Sequence, residues 1–463
     1  MSWFKRLIPG GRGKKGSLSE TRVSPRPIEA VSPGKRVDKS REAADAPRFL
    51  TMAGDQFDRR TSDKLMSIRL KLREAYRPAQ PITEPAMMAG RTALLSTLIR
   101  AIEDRHFHTI IYGERGIGKT SLLHVLAQRA REARYHIAYF SCGASASFDE
   151  TFRAVAAKIP LLFHADYGPT SAEAERGGTM ADLLPEGDVT PRLASELCAK
   201  IVGTRVLVVM DEFERARSHE FRRSVGEFLK NLSDRSIRAH LVIAGVASDL
   251  EDLLEPGAIV PRNVLAIEVP KMTGPEIEQL IHNGEGVAGL TFEREVIDAI
   301  IHGSNGLPYL ANLLCQQVGL TALAAGRVAV TAEDMPRAMA EVLDEITSRI
   351  SKPMRQGLAA RVRDGTPAIL GRLASLAQTS GGRLTPEDIK AAFPEPGGGA
   401  RALAEIEKLS AFNAVTAQED RRLGRVFSFY DANVTAYLWL ATVTAQSKPV
   451  EELRRPAGAQ AVG

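Results

Sequence analysis

The sequence predicts an α/β fold with a parallel five-stranded sheet, an α-helical lid and a C-terminal winged-helix domain. Short apolar runs alternate with helical patterns in the first half of the chain, which is typical of parallel strands covered by helices. After residue 271 the pattern is helical, and after residue 366 short helical patterns precede two strand-like runs. At 463 residues the chain has room for about two to three domains.

The first 55 residues differ in composition from the rest of the chain. They are rich in Gly, Pro, Ser and charge, which predicts a disordered basic tail. Residues 1–41 contain eleven Lys or Arg against three acidic residues, a net charge of +8, whereas the whole chain carries +5. Trp3, Phe4, Leu7 and Ile8 would share one helical face, so a membrane-surface or partner-docking anchor stays open beside a solvated tail.

Residues 56–84 are expected to form a helix over Thr61–Tyr76 and then an extended linker, because prolines recur in 77–85. The core is predicted over 85–271, with helices near 91–102, 148–158, 190–202 and 217–231 and one beginning near residue 119. Its strands are expected at His108–Tyr112, His136–Cys142, Arg205–Met210, His240–Val246 and Val264–Val269. The segment 163–190 interrupts this alternation and is expected to be a surface insertion that is mobile or functional.

A glycine-rich run lies between the first predicted strand and the helix after it. Its glycines allow a tight turn, and such a turn offers successive N–H groups and the positive end of a helix to a triphosphate. Lys119 is expected to reach the β and γ phosphates, and Thr120 to offer its hydroxyl to Mg²⁺. The run therefore predicts a P-loop NTPase that binds ATP through Gly113, Glu114, Arg115, Gly116, Ile117, Gly118, Lys119, Thr120 and Ser121.

An acidic pair, Asp211 and Glu212, directly follows the buried strand that ends at Met210. Mg²⁺ prefers oxygen ligands, and a parallel strand presents such carboxylates at the carboxyl edge of its sheet. Asp211 is expected to hold the metal through water together with Thr120. Glu212 is expected to act as the general base for the attacking water, with Lys119 as a further catalytic residue.

These motifs resemble the AAA+ and STAND nucleoside triphosphatases, especially those related to the Orc1/Cdc6 initiators. The resemblance rests on Asp211-Glu212, on Gly90-Arg91 upstream of the P-loop and on Gly306-Leu307-Pro308, and it covers about residues 85–350. It implies that Gly90, Arg91 and Pro308 contribute to nucleotide binding, with the proline near the adenine. It also implies that the strand after the acidic pair lies between that pair's strand and the P-loop strand, and that its tip carries a polar sensor.

The chain departs from that family at two positions and matches it at a third. The tip of the sensor strand lacks the usual Asn or Thr, and Ser248 is either the sensor or a helix N-cap. The helix start at Gly306-Leu307-Pro308 has no sensor arginine, which favours a slow nucleotide switch over a motor, although a packing role for that segment stays open. Arg262 lies where the resemblance places an arginine finger for a neighbouring subunit; the alternative is a surface arginine.

The C-terminal third divides into a helical lid at 272–351, a winged helix at 352–446 and a disordered tail at 447–463. Lid helices are expected over Gly274–Ile281, Glu293–Ile301, Leu307–Leu323 and about Ala332–Ser351. Winged-helix elements are expected as helices near 366–378, 385–393 and 399–411 and strands at Ala414–Ala417 and Arg425–Tyr430.

The charges of the predicted winged helix give a weak DNA-binding pattern. Its third helix carries Glu405 and Glu407, which would face phosphate, whereas the wing offers Arg421, Arg422 and Arg425. Residues 354–446 hold eleven basic and nine acidic side chains, a net charge of +2. DNA binding and a structural or protein-docking role both stay open.

Two functions remain. The first is an ATP-binding, slowly hydrolysing switch whose winged helix contacts DNA; the alternative is a nucleotide-dependent signalling or scaffold switch that recruits a protein partner. Either admits nucleotide-dependent homo-oligomers. Three widely spaced cysteines and the absence of a secretory signal predict a cytoplasmic location, and no apolar run approaches the roughly 20 residues of a membrane span.

Overall fold

The computed structural model describes residues 61–168, 177–234, 238–247, 253, 262–380, 382–420, 424–430 and 432–446. The chain divides into a unit Met1–Leu70, of which residues 61–70 are described, and a unit Lys71–Gly463. The first described helix is α1 (Thr61–Ala75). The predicted basic tail, its apolar face at Trp3 and the tail 447–463 lie outside the described residues. Among the helices that are described, none is long and apolar enough to cross a membrane.

The core is a sheet of five parallel strands in the order β2-β3-β4-β1-β5. In chain order the strands are β1 (His108–Gly113), β2 (His136–Ser141), β3 (Val206–Asp211), β4 (Ala239–Val246) and β5 (Val264–Glu268). The predicted five-stranded sheet is confirmed, with each boundary within one residue of the expected one. Strand β4 lies between β3 and β1, as the family resemblance implied.

Helices cover the sheet, and their apolar residues explain why its strands are continuous apolar runs. They are α2 (Thr92–Glu103), α3 (Lys119–Glu132), α4 (Phe148–Ala156), α5 (Pro191–Ala199) and α6 (His219–Ser233). Val208 and Met210 of β3 share one cluster with residues of α4, α5 and α6, and the intervening Val209 is also fully buried. Because both faces of β3 are covered, its sequence shows no alternation.

The segment 163–190 is described over 163–168 and 177–190, and its second stretch is anchored to the core. The side chains of Met180 and Val189 are buried. Arg153 of α4 donates to the carbonyl oxygens of Pro185 and Gly187 at 2.7 and 2.5 Å, while Asp149 accepts from the backbone N–H of Val189 at 2.9 Å. Most residues of 177–190 are exposed, as expected of a surface insertion, but two apolar anchors and the contacts of Arg153 and Asp149 fix the segment to the core.

The lid consists of four helices, as predicted. They are α7 (Gly274–Ala288), α8 (Arg294–Ser304), α9 (Pro308–Ala324) and α10 (Met335–Arg349), and the short strands β6 (Thr291–Phe292) and β7 (Ala329–Val330) pair beside them. Helix α7 extends seven residues beyond its predicted end at Ile281, past Gly284 and Gly286. Residue 284 is a glycine because a Cβ there would overlap the ring of Tyr76. The Tyr76 hydroxyl donates to the carbonyl oxygen of Ile281 at 2.6 Å.

The last region contains the three helices and the hairpin that the sequence predicts, with further elements. The helices are α11 (Lys352–Asp364), α12 (Pro367–Thr379), α13 (Pro386–Ala392), α14 (Gly398–Ser410) and α15 (Ala432–Gln446). The hairpin strands β9 (Val415–Asp420) and β10 (Gly424–Phe429) join β8 (Arg383–Leu384) in an antiparallel sheet of order β8-β10-β9. Helix α15 was not predicted; it packs against α10 and α12 and is buried almost all round.

Replacing Gly284 with Ala should lower the free energy of unfolding by about 1–3 kcal/mol, because the new methyl group overlaps the buried Tyr76 ring. Gly286 is the matched control on the same helix, since a Cβ there meets nothing within 4 Å. Gly286→Ala should raise stability by up to about 1 kcal/mol through helix propensity. Urea unfolding followed by circular dichroism measures both; equal effects would contradict the packing assigned to Tyr76.

Candidate functional site

The P-loop joins the end of β1 to the start of α3, and its glycines adopt backbone angles that only glycine adopts easily. The φ angles of Gly113, Gly116 and Gly118 are 146°, 80° and 96°. A Cβ on Gly113 would also lie 3.1 Å from the carbonyl oxygen of Val269. The turn leads directly into Lys119, the first residue of α3, so the free N–H groups of the first helical turn lie at the loop.

Lys119 is buried under this loop. Its Nζ donates to the carbonyl oxygens of Gly113 and Glu114, both at 2.8 Å. Burial lowers the pKa of Lys119 to about 8, although attraction to Glu214, then Asp211 and Glu114, opposes the shift. The ammonium group is therefore held in place by the loop that it is expected to serve.

Asp211 ends β3 at the same edge of the sheet, and its carboxylate is fixed from two sides. Tyr139 of β2 donates its hydroxyl to Asp211 Oδ2 at 2.7 Å, and the backbone N–H of Glu212 donates to Oδ1 at 2.8 Å. Burial, with repulsion and hydrogen bonding from Asp211, raises the pKa of Tyr139 well above its ordinary value, so this hydroxyl stays a donor. The ring of Tyr139 stacks on His124 of α3, 4.7 Å between centroids.

Glu212 has a left-handed backbone, with φ 54°. Its Oε2 accepts from Ser141 Oγ at 2.5 Å and from Arg215 at 2.6 Å. These bonds, the one from Ser141 foremost, hold the pKa of Glu212 below its ordinary value. The expected general base is thus ionised and lines the cleft, but one of its oxygens is already engaged.

Glu214 is a site residue that the sequence reasoning missed. It lines the cleft, and its Oε2 accepts from the backbone N–H of Val246 at the end of β4 at 2.9 Å. Phe213 between the two glutamates is fully buried, which turns both carboxylates to the cleft side. The alternation Glu212-Phe213-Glu214 after Asp211 could have predicted this, because an apolar residue between two acidic ones indicates that both acids face the same side. Glu214 supplies a polar group at the β4 tip; the predicted sensor Ser248 lies outside the described residues.

The lid contacts the P-loop through the first turn of α9. Gly306, with φ 70°, precedes this turn, and a Cβ on Gly306 would lie 2.5 Å from the carbonyl oxygen of Met272. A Cβ on Gly118 would lie 3.7 Å from Pro308 Cγ, and a Cβ on Gly116 would lie 3.3 Å from Tyr309 Cβ. Pro308 is therefore beside the cleft, as predicted, while its contact with an adenine stays a prediction.

The cleft enclosed by these elements has a volume of about 850 Å³. Besides the P-loop, the carboxylates and α9, it is lined by the extended segment 77–84, which sequence reasoning read only as a linker. The backbone N–H of Ile82 donates to Ser121 Oγ at 3.0 Å and so fastens this segment to α3. Arg115 and Thr120 also line the cleft.

The donor set fits a magnesium nucleotide. The cleft offers one fixed carboxylate, Asp211, and the hydroxyl of Thr120, and Mg²⁺ is usually held by one or two protein oxygens plus substrate phosphates. Across the part of the chain that the structure describes, no group of three or more His, Cys, Asp or Glu is arranged to hold a metal without such a substrate.

Gly90 and Arg91 lie at the junction of core and lid, outside the cleft lining. The backbone N–H of Gly90 donates to Gln279 of α7 at 3.1 Å, and a Cβ on Gly90 would overlap Glu276. Arg91 is buried and donates to the carbonyl oxygen of Pro270 at 2.5 Å; burial lowers its pKa. The contact of Gly90 joins the start of α2 to the lid, and that of Arg91 joins it to the end of the core. The predicted nucleotide contacts of both residues stay predictions.

Arg262 is exposed just before β5, at the edge of the sheet where the strands begin. The P-loop and Asp211 lie at the opposite edge, where β1 and β3 end. Arg262 is therefore remote from the cleft of its own chain. Its role as an arginine finger stays a prediction that requires a second copy of the chain.

The predicted DNA-contacting residues differ in environment. Glu405 is buried and accepts from Arg361 at 2.6 Å and from Lys408 at 2.8 Å, so the expectation that it faces outward is wrong. Glu407 is exposed and pairs with Arg425 of the wing at 3.0 Å. The other two wing residues, Arg421 and Arg422, lie outside the described residues.

A family model described as Novel STAND NTPase 1 matches residues 82–381, more than half of the chain. None of the curated proteins matches the sequence. Similar solved structures include Cdc6p from Pyrobaculum aerophilum, with 16% identity, 82% of this chain and 99% of that chain covered, and a TM-score of 0.41. The Orc1 protein of Aeropyrum pernix in complex with DNA has 14% identity, coverages of 82% and 98%, and a TM-score of 0.42. A Walker-type ATPase of Pyrococcus abyssi has 15% identity, coverages of 78% and 98%, and a TM-score of 0.44.

The pKa of Lys119 predicts a pH-dependent affinity for ATP. Phosphate oxygens bind the charged form, and with a free-protein pKa of about 8 this form falls about tenfold between pH 7 and pH 9. The Kd of a fluorescent, non-hydrolysable ATP analogue should therefore rise about tenfold over that range.

Lys119→Arg is the control, because a guanidinium stays charged over the whole range. Its affinity should be lower at pH 7 and should not fall further by pH 9. Parallel pH profiles of the natural protein and the variant would contradict the assignment of the titration to Lys119.

Proposed function

Because the chain belongs to the Novel STAND NTPase 1 family, we propose that it is a slow ATP-hydrolysing switch in which bound nucleotide holds the lid on the core. One observation carries the proposal. Pro308 and Tyr309 of the lid contact Gly118 and Gly116 of the P-loop. A ligand in the cleft touches both sides of this contact, so its binding free energy favours the closed arrangement.

Each residue of the cleft has a role in this proposal. The backbone N–H groups of the P-loop and the Lys119 ammonium receive the phosphates, and Thr120 and Asp211 hold Mg²⁺. When bound, Mg²⁺ supplies positive charge that neutralises the phosphate oxygens. Tyr139 keeps the Asp211 carboxylate oriented, and Glu212 accepts the proton of the attacking water.

Two observations support slow turnover. Ser141 and Arg215 occupy one oxygen of Glu212 and lower its pKa, which makes it a weak base. Within the described residues, the lid contributes Pro308, Tyr309, Asn312 and Val287 to the cleft and no cationic side chain. The charge that develops during phosphoryl transfer thus lacks a stabilising group from the lid.

Glu212→Gln should keep ATP affinity and reduce turnover about 100-fold or more, because the amide cannot accept the proton. Glu214→Gln is the matched comparison. Its amide oxygen still accepts from the N–H of Val246, so turnover should change by less than about tenfold. Phosphate release and ATP affinity measure the two effects. Normal turnover in Glu212→Gln with loss in Glu214→Gln would move the base to Glu214.

The lid is coupled to the C-terminal region, which we propose is a winged helix because three helices lead into a hairpin that pairs with a short third strand. Trp439 of α15 packs on α8: a Cβ on Gly303 would lie 2.8 Å from its ring, and the His302 ring lies 5.4 Å from it, centroid to centroid. Movement of the lid therefore moves α15, and the helices α11 and α12 that pack against it, as one body.

We propose DNA contact through α14 and the wing as the output of the switch. Glu405 points inward, so the exposed face of α14 carries Arg401 and Lys408 and only Glu407 as an acid. The alternative, recruitment of a protein partner, is favoured by the Arg425–Glu407 pair, which engages a wing cation, and by the net charge of +2 over residues 354–446. A cytoplasmic location and nucleotide-dependent self-association remain parts of the proposal.

Arg401→Glu combined with Arg425→Glu should weaken binding to a 20-base-pair duplex at least about tenfold and lower the salt slope by about 2. Fluorescence anisotropy between 50 and 200 mM salt, with and without an ATP analogue, measures this. Arg129→Glu with Arg192→Glu is the control of equal charge change, on exposed helices of the core. Absence of duplex binding at low salt in either nucleotide state would leave the protein-recruiting alternative.

A further inference from the structure

A second cavity, of about 450 Å³, lies at the edge of the sheet where the strands begin. We call it the basal cavity. Its titratable lining residues are Arg105, Arg205, Arg238, His106, His108 and His240, together with Asp234. The P-loop and Asp211 lie at the opposite edge, where β1 and β3 end. Each of these strands has six residues, so the basal cavity and the nucleotide cleft are about 17–20 Å apart. We propose that the basal cavity binds a phosphorylated small molecule, separately from the nucleotide of the cleft.

The cavity has an excess of positive charge. Arg205 pairs with Glu103 at 3.3 Å and stacks on the ring of Tyr135. Arg105 and Arg238 are exposed and have no salt-bridge partner among the residues that the structure describes. Asp234 is the one acidic residue of this lining. Because Glu103 compensates Arg205, the excess comes from Arg105 and Arg238, which outnumber Asp234 and so favour an anion. Guanidinium donors match phosphate oxygens in bidentate geometry.

The histidines add uncharged polar groups at the inner end of the cavity. His108 Nδ1 accepts from the backbone N–H of Leu241 at 3.0 Å, which leaves its Nε2 as the protonated nitrogen. His240 is 2% exposed, and its Nδ1 has no hydrogen-bond partner in the described structure. The hydroxyl of Ser233, which also lines the cavity, is likewise buried without one. Buried polar groups in folded proteins nearly always have a hydrogen-bond partner, so these two atoms are placed to bond to a ligand or a water in the cavity.

The charges around these histidines argue against a cation. Burial lowers the pKa of His108 to about 4, with repulsion from His240, and burial lowers that of His240 similarly, with repulsion from His106 and Arg205. The arginines of the lining would repel a metal ion, and among the described residues no group of three or more His, Cys, Asp or Glu is placed to hold one. A bound anion would instead stabilise the imidazolium forms.

The size of the cavity favours a small molecule over a nucleic-acid strand. About 450 Å³ falls within the range of small-molecule sites, whereas single-stranded nucleic acid is bound along an open groove. Asn263 closes one side, because its backbone carbonyl accepts from His108 N–H at 2.9 Å and its side chain reaches the carbonyl oxygen of Ser233.

The test uses the full chain with Lys119→Ala, which removes the P-loop as a phosphate site. Calorimetric titration with pyrophosphate and with AMP should give a Kd of about 1 mM or tighter. Adding Arg105→Gln and Arg238→Gln should weaken this at least about tenfold. The matched control adds Arg129→Gln and Arg192→Gln, which remove the same charge from exposed, ion-paired arginines and should change nothing.

A direct readout follows the C–H signals of ¹³C-labelled histidines by NMR in the otherwise natural protein, with the cleft filled by a non-hydrolysable ATP analogue. Single His→Gln variants assign the signals of His108 and His240. Pyrophosphate should shift both signals. Absence of heat and of these shifts up to 10 mM would overturn the proposal. Equal weakening in the control would also overturn it. So would a third outcome, in which pyrophosphate and AMP fail to bind but duplex DNA binds and this binding is lost in the Arg105→Gln/Arg238→Gln variant.

Discussion

The burial of the Lys119 ammonium is the constraint on which the site depends. A buried cation must be compensated by nearby dipoles and negative charge, since its desolvation is costly. Two P-loop carbonyls supply the dipoles, and Glu214 and Asp211 supply charge. The strand order β3-β4-β1 is what brings these groups together, because parallel neighbours end at the same edge of the sheet. With another order, Glu214 could not reach the N–H of Val246 at the tip of β4.

The sequence predicted those parts of the fold and site that are encoded locally. Strand β3 is a continuous apolar run because both its faces are buried, and the P-loop glycines stand where φ is positive. What escaped prediction depends on tertiary contacts. Helix α15 has apolar residues on all sides and so no helical periodicity, and β8 is only two residues long. The bond between Tyr139 and Asp211 joins residues 72 positions apart, which no local pattern reports.

The direction in which the charged side chains of α14 point was also not predictable from the local sequence. Two glutamates of one helix were expected to face phosphate, yet Glu405 is turned inward. Arg361 of α11 makes this arrangement favourable, because it and Lys408 compensate the buried carboxylate and hold its pKa below the ordinary value. The inward turn of Glu405 thus depends on a helix that sequence reasoning did not identify, and it changes the face that is offered to a partner.

The unequal strength of two interfaces decides what a lid movement would carry with it. Between core and lid, the contact at the P-loop consists of van der Waals approaches by Pro308 and Tyr309, which are individually weak. Between lid and C-terminal region, α15 is buried against α10, with Trp439 lying close over Gly303. Tyr309 also donates its hydroxyl to Glu345 of α10 at 3.2 Å and lies under the Arg349 guanidinium, so it is tied to the lid side. In the switch that we propose, we therefore expect the weaker interface to open first and the lid to move together with the C-terminal helices.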